Sequence, residues 1–114
     1  MKAWKVRDPN EWCATIVFAE TAGKARALAM HTETCEDLNF TDIQVLREKA
    51  ADKYYTPGKL EMDWYNAADR VAMVKDLGFS CDPYALTDYV FCDQCPAKEW
   101  CGEYQNHVSE EVPL

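Results

Sequence analysis

The sequence predicts an α+β fold: a small, mostly antiparallel sheet carrying two helices, followed by a cysteine-rich module stapled by a metal. Three observations predict it. Residues 1–57 hold three short stretches rich in β-branched and aromatic side chains, separated by turn-forming residues. Residues 22–33 and 67–77 carry small and aliphatic side chains at helical spacing behind capping residues. After Gly78 the texture changes, and "FSCDPYALTDYVFCDQCPAKEWCGEY" packs four cysteines and two prolines into one segment. We therefore expect an α+β core over 1–78, a cysteine-rich module over 79–106 packed on it, and a flexible tail over 107–114.

The elements follow in order. "AWKV" (Ala3–Val6) is a strand, and "DPN" (Asp8–Asn10) is turn chemistry. "CATIVFAE" (Cys13–Glu20) reads as a buried strand. Thr21 caps a helix over "AGKARALAMHTE", whose buried stripe is Ala22, Ala25, Leu28 and Ala29. "FTDIQVLREK" alternates around Ile43, Val45 and Arg47 and gives a third strand. "TPG" (Thr56–Gly58) is a turn, and "KLEMDWY" is either extended or loop. Asn66 caps the second helix, with Asp69 completing a capping-box-like start. "AADRVAMVKDL" should bury Ala67, Val71, Val74 and Leu77, and Gly78 ends it.

Charge excludes several functions. The net charge is −8, and it is uneven: residues 1–57 carry eight basic against nine acidic residues, and residues 58–114 carry four against eleven. Such a chain repels nucleic-acid phosphates, and no local basic patch offsets this, so direct nucleic-acid binding is not expected. An acidic face instead suits a basic groove on another protein, although acidity also serves solubility alone. No apolar run approaches the ~20 residues of a membrane span. The start "MKAWKVRDPNEW" has no apolar signal-peptide region, so a cytoplasmic location is expected. Clustered cysteines in that compartment bind metal more often than they form disulfides.

The cysteines carry the sharpest signal. "CDQCPAKEWC" (Cys92–Cys101) spaces three thiols as C-x2-C-x5-C. A two-residue gap lets Cys92 and Cys95 converge on one ion. Pro96 fixes the exit, and "AKEWC" can form a helical turn that brings Cys101 round. A tetrahedral zinc needs a fourth ligand, for which Cys81 is preferred, with His107 as the alternative. Four thiolates can equally hold an iron–sulfur cluster, and reduced core cysteines are the reading without metal. Closed four-ligand sites are structural, so this motif does not predict catalysis. Nor does the rest of the chain: it has two histidines, four glycines, no nucleophile elbow and no phosphate-binding loop. Non-metal site candidates are Trp64, Tyr65, Asp69, Arg70, Asp76 and Asp82. Trp, Tyr and Arg dominate protein-binding hot spots, and the aspartates supply the acidic face.

Two resemblances add to this. C-x2-C-P-x4-C is similar to the iron–sulfur staple at the tail of RecB-family nucleases, over ten residues; the nuclease core of carboxylates and lysine is not found here. "VFAETAGKARALA" followed by "DIQVLREKAADKYY", about residues 14–55, resembles small uncharacterised proteins of bacteriophages and prophages. In those an extended segment ending in R-x-x-x-x-D, here Arg47–Asp52, recurs. That resemblance implies a phage accessory protein in a bacterial host cell. Its expected action is to bind a host protein, as a regulator or as an inhibitor of a defence system such as CRISPR. The competing expectation is a metal-dependent enzyme or redox protein that uses the cysteine cluster.

Overall fold

A computed structural model describes residues 1–10, 14–32, 34–35, 38–79 and 95–101 of the chain. These divide between two compact units, Met1–Met62 and Asp63–Leu114. The second helix thus shares a unit with Cys95 and Cys101, whereas composition alone suggests a division after Gly78.

In the first unit, strands β1 (Lys2–Arg7), β2 (Ala14–Ala19) and β3 (Gln44–Arg47) form an antiparallel sheet in the order β2-β1-β3. The α+β expectation holds. Register pairs Trp4 with Val17 and with Arg47, and Val6 with Thr15 and Val45. Because side chains alternate along a strand, Trp4, Val6, Val17, Ala19 and Val45 share one face. Helix α1 (Ala22–Ala29) covers it, adding Ala25, Leu28 and Ala29 to the same apolar cluster. Small residues on α1 permit this close approach. Ala22, expected on that stripe, is exposed.

The α1 boundaries have local causes. Thr21 Oγ1 accepts from the Lys24 amide at 3.2 Å, the cap that the sequence predicts. The helix stops at Ala29, short of residue 33. The Thr32 amide and hydroxyl both bond the Ala29 carbonyl, at 3.0 and 2.7 Å, so a local side-chain bond takes over where the ladder would have continued.

On the opposite face Ala3, Ile16 and Phe18 are fully buried. The Tyr55 ring lies 5.5 Å from that of Phe18, tilted by 58°. Tyr55 follows a 3-10 stretch, Lys49–Tyr54, which no periodicity in the sequence marks. The ambiguous segment after the turn is extended. The Lys59 amide bonds the Thr56 carbonyl at 2.9 Å, and Gly58 sits at φ +88, as a type II turn with Pro57 ahead requires. Leu60 and Met62 then exchange main-chain bonds with Phe18 and Ile16, both at 2.9 Å, and protect the outer edge of β2.

Arg47 and Asp52, the ends of the R-x-x-x-x-D stretch, form a two-pronged ion pair at 2.7 and 2.6 Å. Asp52 also accepts from the Ala3 amide at 2.7 Å, and Arg47 donates to the Ala3 carbonyl at 2.8 Å. The guanidinium lies 5.6 Å from the Trp4 ring. The pair fastens the 3-10 stretch to the start of β1. The Arg47 hydrogen bond, opposed by partial burial and helped by the Ala3 amide, holds the Asp52 carboxyl down to about 2 from 3.8. A depressed carboxylate contributes stability that is present above the unfolded value and lost as pH falls from about 4 through about 2. The side chain is 37% exposed, so solvent screening reduces the effect. Asp52→Asn is expected to cost about 1 kcal/mol at pH 7 and to flatten the acid limb of the stability curve between pH 4 and 2. Urea titrations across that range check it; an unchanged acid limb would assign the pair no role.

The second unit begins with an Asn66 cap whose side chain accepts from the Asp69 amide at 3.0 Å. The Asp69 carboxylate reaches back to the Asp63 amide at 2.9 Å, three residues beyond the capping-box target. Helix α2 (Ala67–Val71) runs on into a π turn, Ala72–Asp76. Gly78 at φ +71 ends it, and the Phe79 amide bonds the Met73 carbonyl at 2.8 Å. The π turn widens the winding and changes which side chains are inward. Arg70, Ala72, Met73 and Val74 are buried, Val71 and Leu77 only partly, and Ala67 is exposed. Among the described residues no helix is long and apolar enough to cross a membrane.

Candidate metal centre

Residues 95–101 make one tight excursion. The amides of Lys98, Trp100 and Cys101 bond back to the carbonyls of Cys95, Ala97 and Lys98, at 3.1, 3.0 and 3.3 Å. Lys98–Trp100 is consequently a single 3-10 turn. Cys95 and Cys101 bracket it, and both are buried free thiols. They share an apolar cluster with Val74 and Ala97, against which Trp64 and Val71 pack. Val74 comes from the π turn, so the irregular winding supplies a wall of this cluster.

Cys95 has a charged neighbour. Arg70 Nε donates to Cys95 Sγ at 3.1 Å, and Arg70 Nη1 donates to the Trp64 carbonyl at 2.7 Å. Arg70 is only 3% exposed, which removes it from the surface patch that the sequence suggests it forms with Trp64 and Tyr65. Its contact with sulfur has no local sequence signal, the two residues being 25 positions apart.

Of the four predicted thiolates, Cys95 and Cys101 are described; Cys81, Cys92 and the alternative ligand His107 lie outside the described residues. Among the described residues no group of three or more His, Cys, Asp or Glu side chains could hold a metal ion. The two described sulfurs are donors of the kind that zinc and iron–sulfur clusters take, and Cys95 receives an N–H bond from Arg70.

The proposed partner-binding residues separate. Tyr65 is 55% exposed, Asp76 is exposed, and Trp64 and Asp69 are half-buried. Asp82 is outside the described residues. Trp100 joins the exposed group at 44%, with the Lys75 ammonium 4.8 Å from its ring centre. In the sequence Trp100 stands only as spacing between cysteines, and nothing local marks it as a surface aromatic.

In the first unit a cavity of about 460 Å³ is lined by Phe18, Ala27, Leu28 and Leu60, with Glu20, Lys24 and His31 as its charged or titratable side chains. Glu20 and Lys24 pair with each other at 3.2 Å, and no serine, threonine or cysteine lines it. No family model, curated protein or solved structure matches the chain.

Proposed function

We propose that the chain is a non-enzymatic accessory protein of a phage or prophage, acting in the cytoplasm of a bacterial host. Its second unit carries a structural zinc site and presents an acidic surface to a basic groove on a host protein. Regulation of that protein, or inhibition of a defence complex, is the biological role that such blocking would serve.

One observation carries the reading: charge and structure divide at the same place. Residues 63–114 hold ten acidic residues against Arg70, Lys75 and Lys98, and residues 1–62 are nearly balanced, with ten against nine. Solubility alone gives no reason to concentrate charge in one unit. Asp63, Asp76 and Glu99 are exposed in that unit, as are the large aromatics Tyr65 and Trp100. Aromatic anchors within a field of one sign combine contact area with steering.

The test is kinetic. A partner recovered from host lysate is immobilised and its association measured from low to high salt. Association should slow steeply with salt while dissociation changes little. Asp63→Asn, Asp76→Asn and Glu99→Gln together should slow association by about tenfold, because steering at this scale rests on a few charges. Asn keeps the oxygen that accepts from the Tyr65 amide at position 63, so the helix start survives. Neutralising Asp8, Glu20 and Asp42 should change nothing. An association rate flat in salt would leave the acidity a matter of solubility, and binding of duplex DNA by the isolated protein would contradict the proposal.

A further inference from the structure

We infer that the outer edge of β3 pairs with the same edge of a second copy of the chain, joining two three-stranded sheets into one six-stranded antiparallel sheet. The inference rests neither on a metal site nor on the acidic surface.

Register fixes which main-chain groups face outward. The Glu48 amide bonds the Ala3 carbonyl at 3.0 Å, so Ala3–Glu48 is a hydrogen-bonded pair, and Lys5–Leu46 and Arg7–Gln44 follow by alternation. The amides and carbonyls of Val45 and Arg47 therefore point away from β1. The same alternation turns the main chain of Ile16 and Phe18 outward on β2, and there Met62 and Leu60 take up those groups. β3 ends the sheet on the other side, and no described segment of the first unit covers it. Proteins commonly blunt such an edge with lysine or proline. β3 reads QVLR and has neither, and its one charged side chain, Arg47, is turned to Asp52 and the Ala3 carbonyl.

The side chains of β3 match themselves about a two-fold axis through Leu46. Val45 then exchanges two main-chain bonds with the second copy's Arg47, and Arg47 two with the second copy's Val45, four in all. Leu46 meets its own copy as a non-hydrogen-bonded pair, the closer type, with Cα atoms about 4.5 Å apart. Leu46 is 47% exposed on the face that buries Ile16, and the pairing covers it. Gln44 falls opposite the second copy's Glu48, so an amide meets a carboxylate and no like charges oppose each other. An axis through Val45 would set Leu46 against Gln44, and one through Arg47 would set it against Glu48. Only the axis through Leu46 pairs apolar with apolar. Both copies carry −8, so long-range repulsion opposes the pairing and salt relieves it. That sign is opposite to the one expected for an acidic surface meeting a basic groove, which keeps the two associations distinguishable.

The experiment is sedimentation equilibrium on the full-length protein. A short edge buries little area, so the average mass should move from one chain toward two between about 10 μM and 1 mM, and further at high salt. Leu46→Lys sets two ammonium groups opposite each other and should weaken the dimer about tenfold or more. Leu46→Cys should cross-link to its own copy, on addition of oxidised glutathione, faster than Gln44→Cys or the wild type; each disulfide formed reduces one glutathione disulfide to two thiols. If Leu46→Lys does not fold, the Leu46→Cys rate decides. Wild-type protein that stays monomeric at the top concentration in high salt overturns the inference. So does a dimer that Leu46→Lys leaves intact, or a Leu46→Cys rate no faster than the controls. Monomeric wild-type protein whose capture of a host protein is lost in Leu46→Lys would give the edge to a foreign strand, and overturns the second copy as its occupant.

Discussion

Removing metal with a chelator is expected to unfold residues 63–114 while residues 1–62 stay folded. The described core of the second unit is small: Val74, Ala97, Cys95 and Cys101, with Trp64 and Val71 against it. In the proposed zinc site the metal would stabilise this unit, its binding free energy becoming folding free energy, of order 10 kcal/mol for a closed site. The first unit has its own core in Val6, Val17, Ala19, Ala25, Ala29 and Ile43 and needs no such staple. Limited proteolysis after chelation should cut between Phe79 and Tyr104 and leave a fragment of the first unit. Elemental analysis of protein purified without chelator should find one zinc per chain; a brown protein would replace zinc by an iron–sulfur cluster. Equal protease resistance with and without chelator, or the absence of both metals, would end the metal reading.

Phe18→Ala should destabilise the first unit by about 3–5 kcal/mol, the range for deleting a buried phenyl ring. Phe18 is 1% exposed, lies opposite Ala3 of β1 and meets the Tyr55 ring at 5.5 Å. Alanine leaves a cavity that a paired strand cannot collapse to fill, and the aromatic pair, worth roughly 1 kcal/mol beyond area, is lost as well. Domains of this size are stable by about 5–15 kcal/mol, so the loss is a large share of the total. The control is Leu60→Ala next to it in the sheet: Leu60 is 59% exposed and its hydrogen bond to Phe18 is main-chain alone, so about 0.5 kcal/mol or less is expected. Urea unfolding monitored by tryptophan fluorescence measures both. A Phe18→Ala loss below about 1 kcal/mol would mean that this face of the sheet is not a packed core.

Local chemistry alone determines much of this protein. Thr21 and Asn66 are caps because a hydroxyl or amide oxygen one turn ahead of a free amide is a local geometry. β1, β2 and β3 are legible because alternation and β-branching act over neighbouring residues, and Pro57–Gly58 specifies its own turn. The α+β class follows from those pieces. The cysteine spacing is local too, which is why the turn from Cys95 to Cys101 is foreseeable while the metal it implies is a matter for measurement. Tertiary structure decides what depends on residues distant in sequence. Leu60–Met62 is extended because the β2 edge offers it hydrogen bonds, and nothing within "KLEMDWY" requires this. Asp52 is held near 2 because folding brings Arg47 and the Ala3 amide to it. Met73 is buried and Leu77 only half-buried where a π turn replaces regular winding over Ala72–Asp76, a change that no periodicity of 3.6 can encode. Arg70 itself is the clearest case: beside Trp64 and Tyr65 it reads as a surface residue, yet it is buried and donates to a sulfur twenty-five positions away.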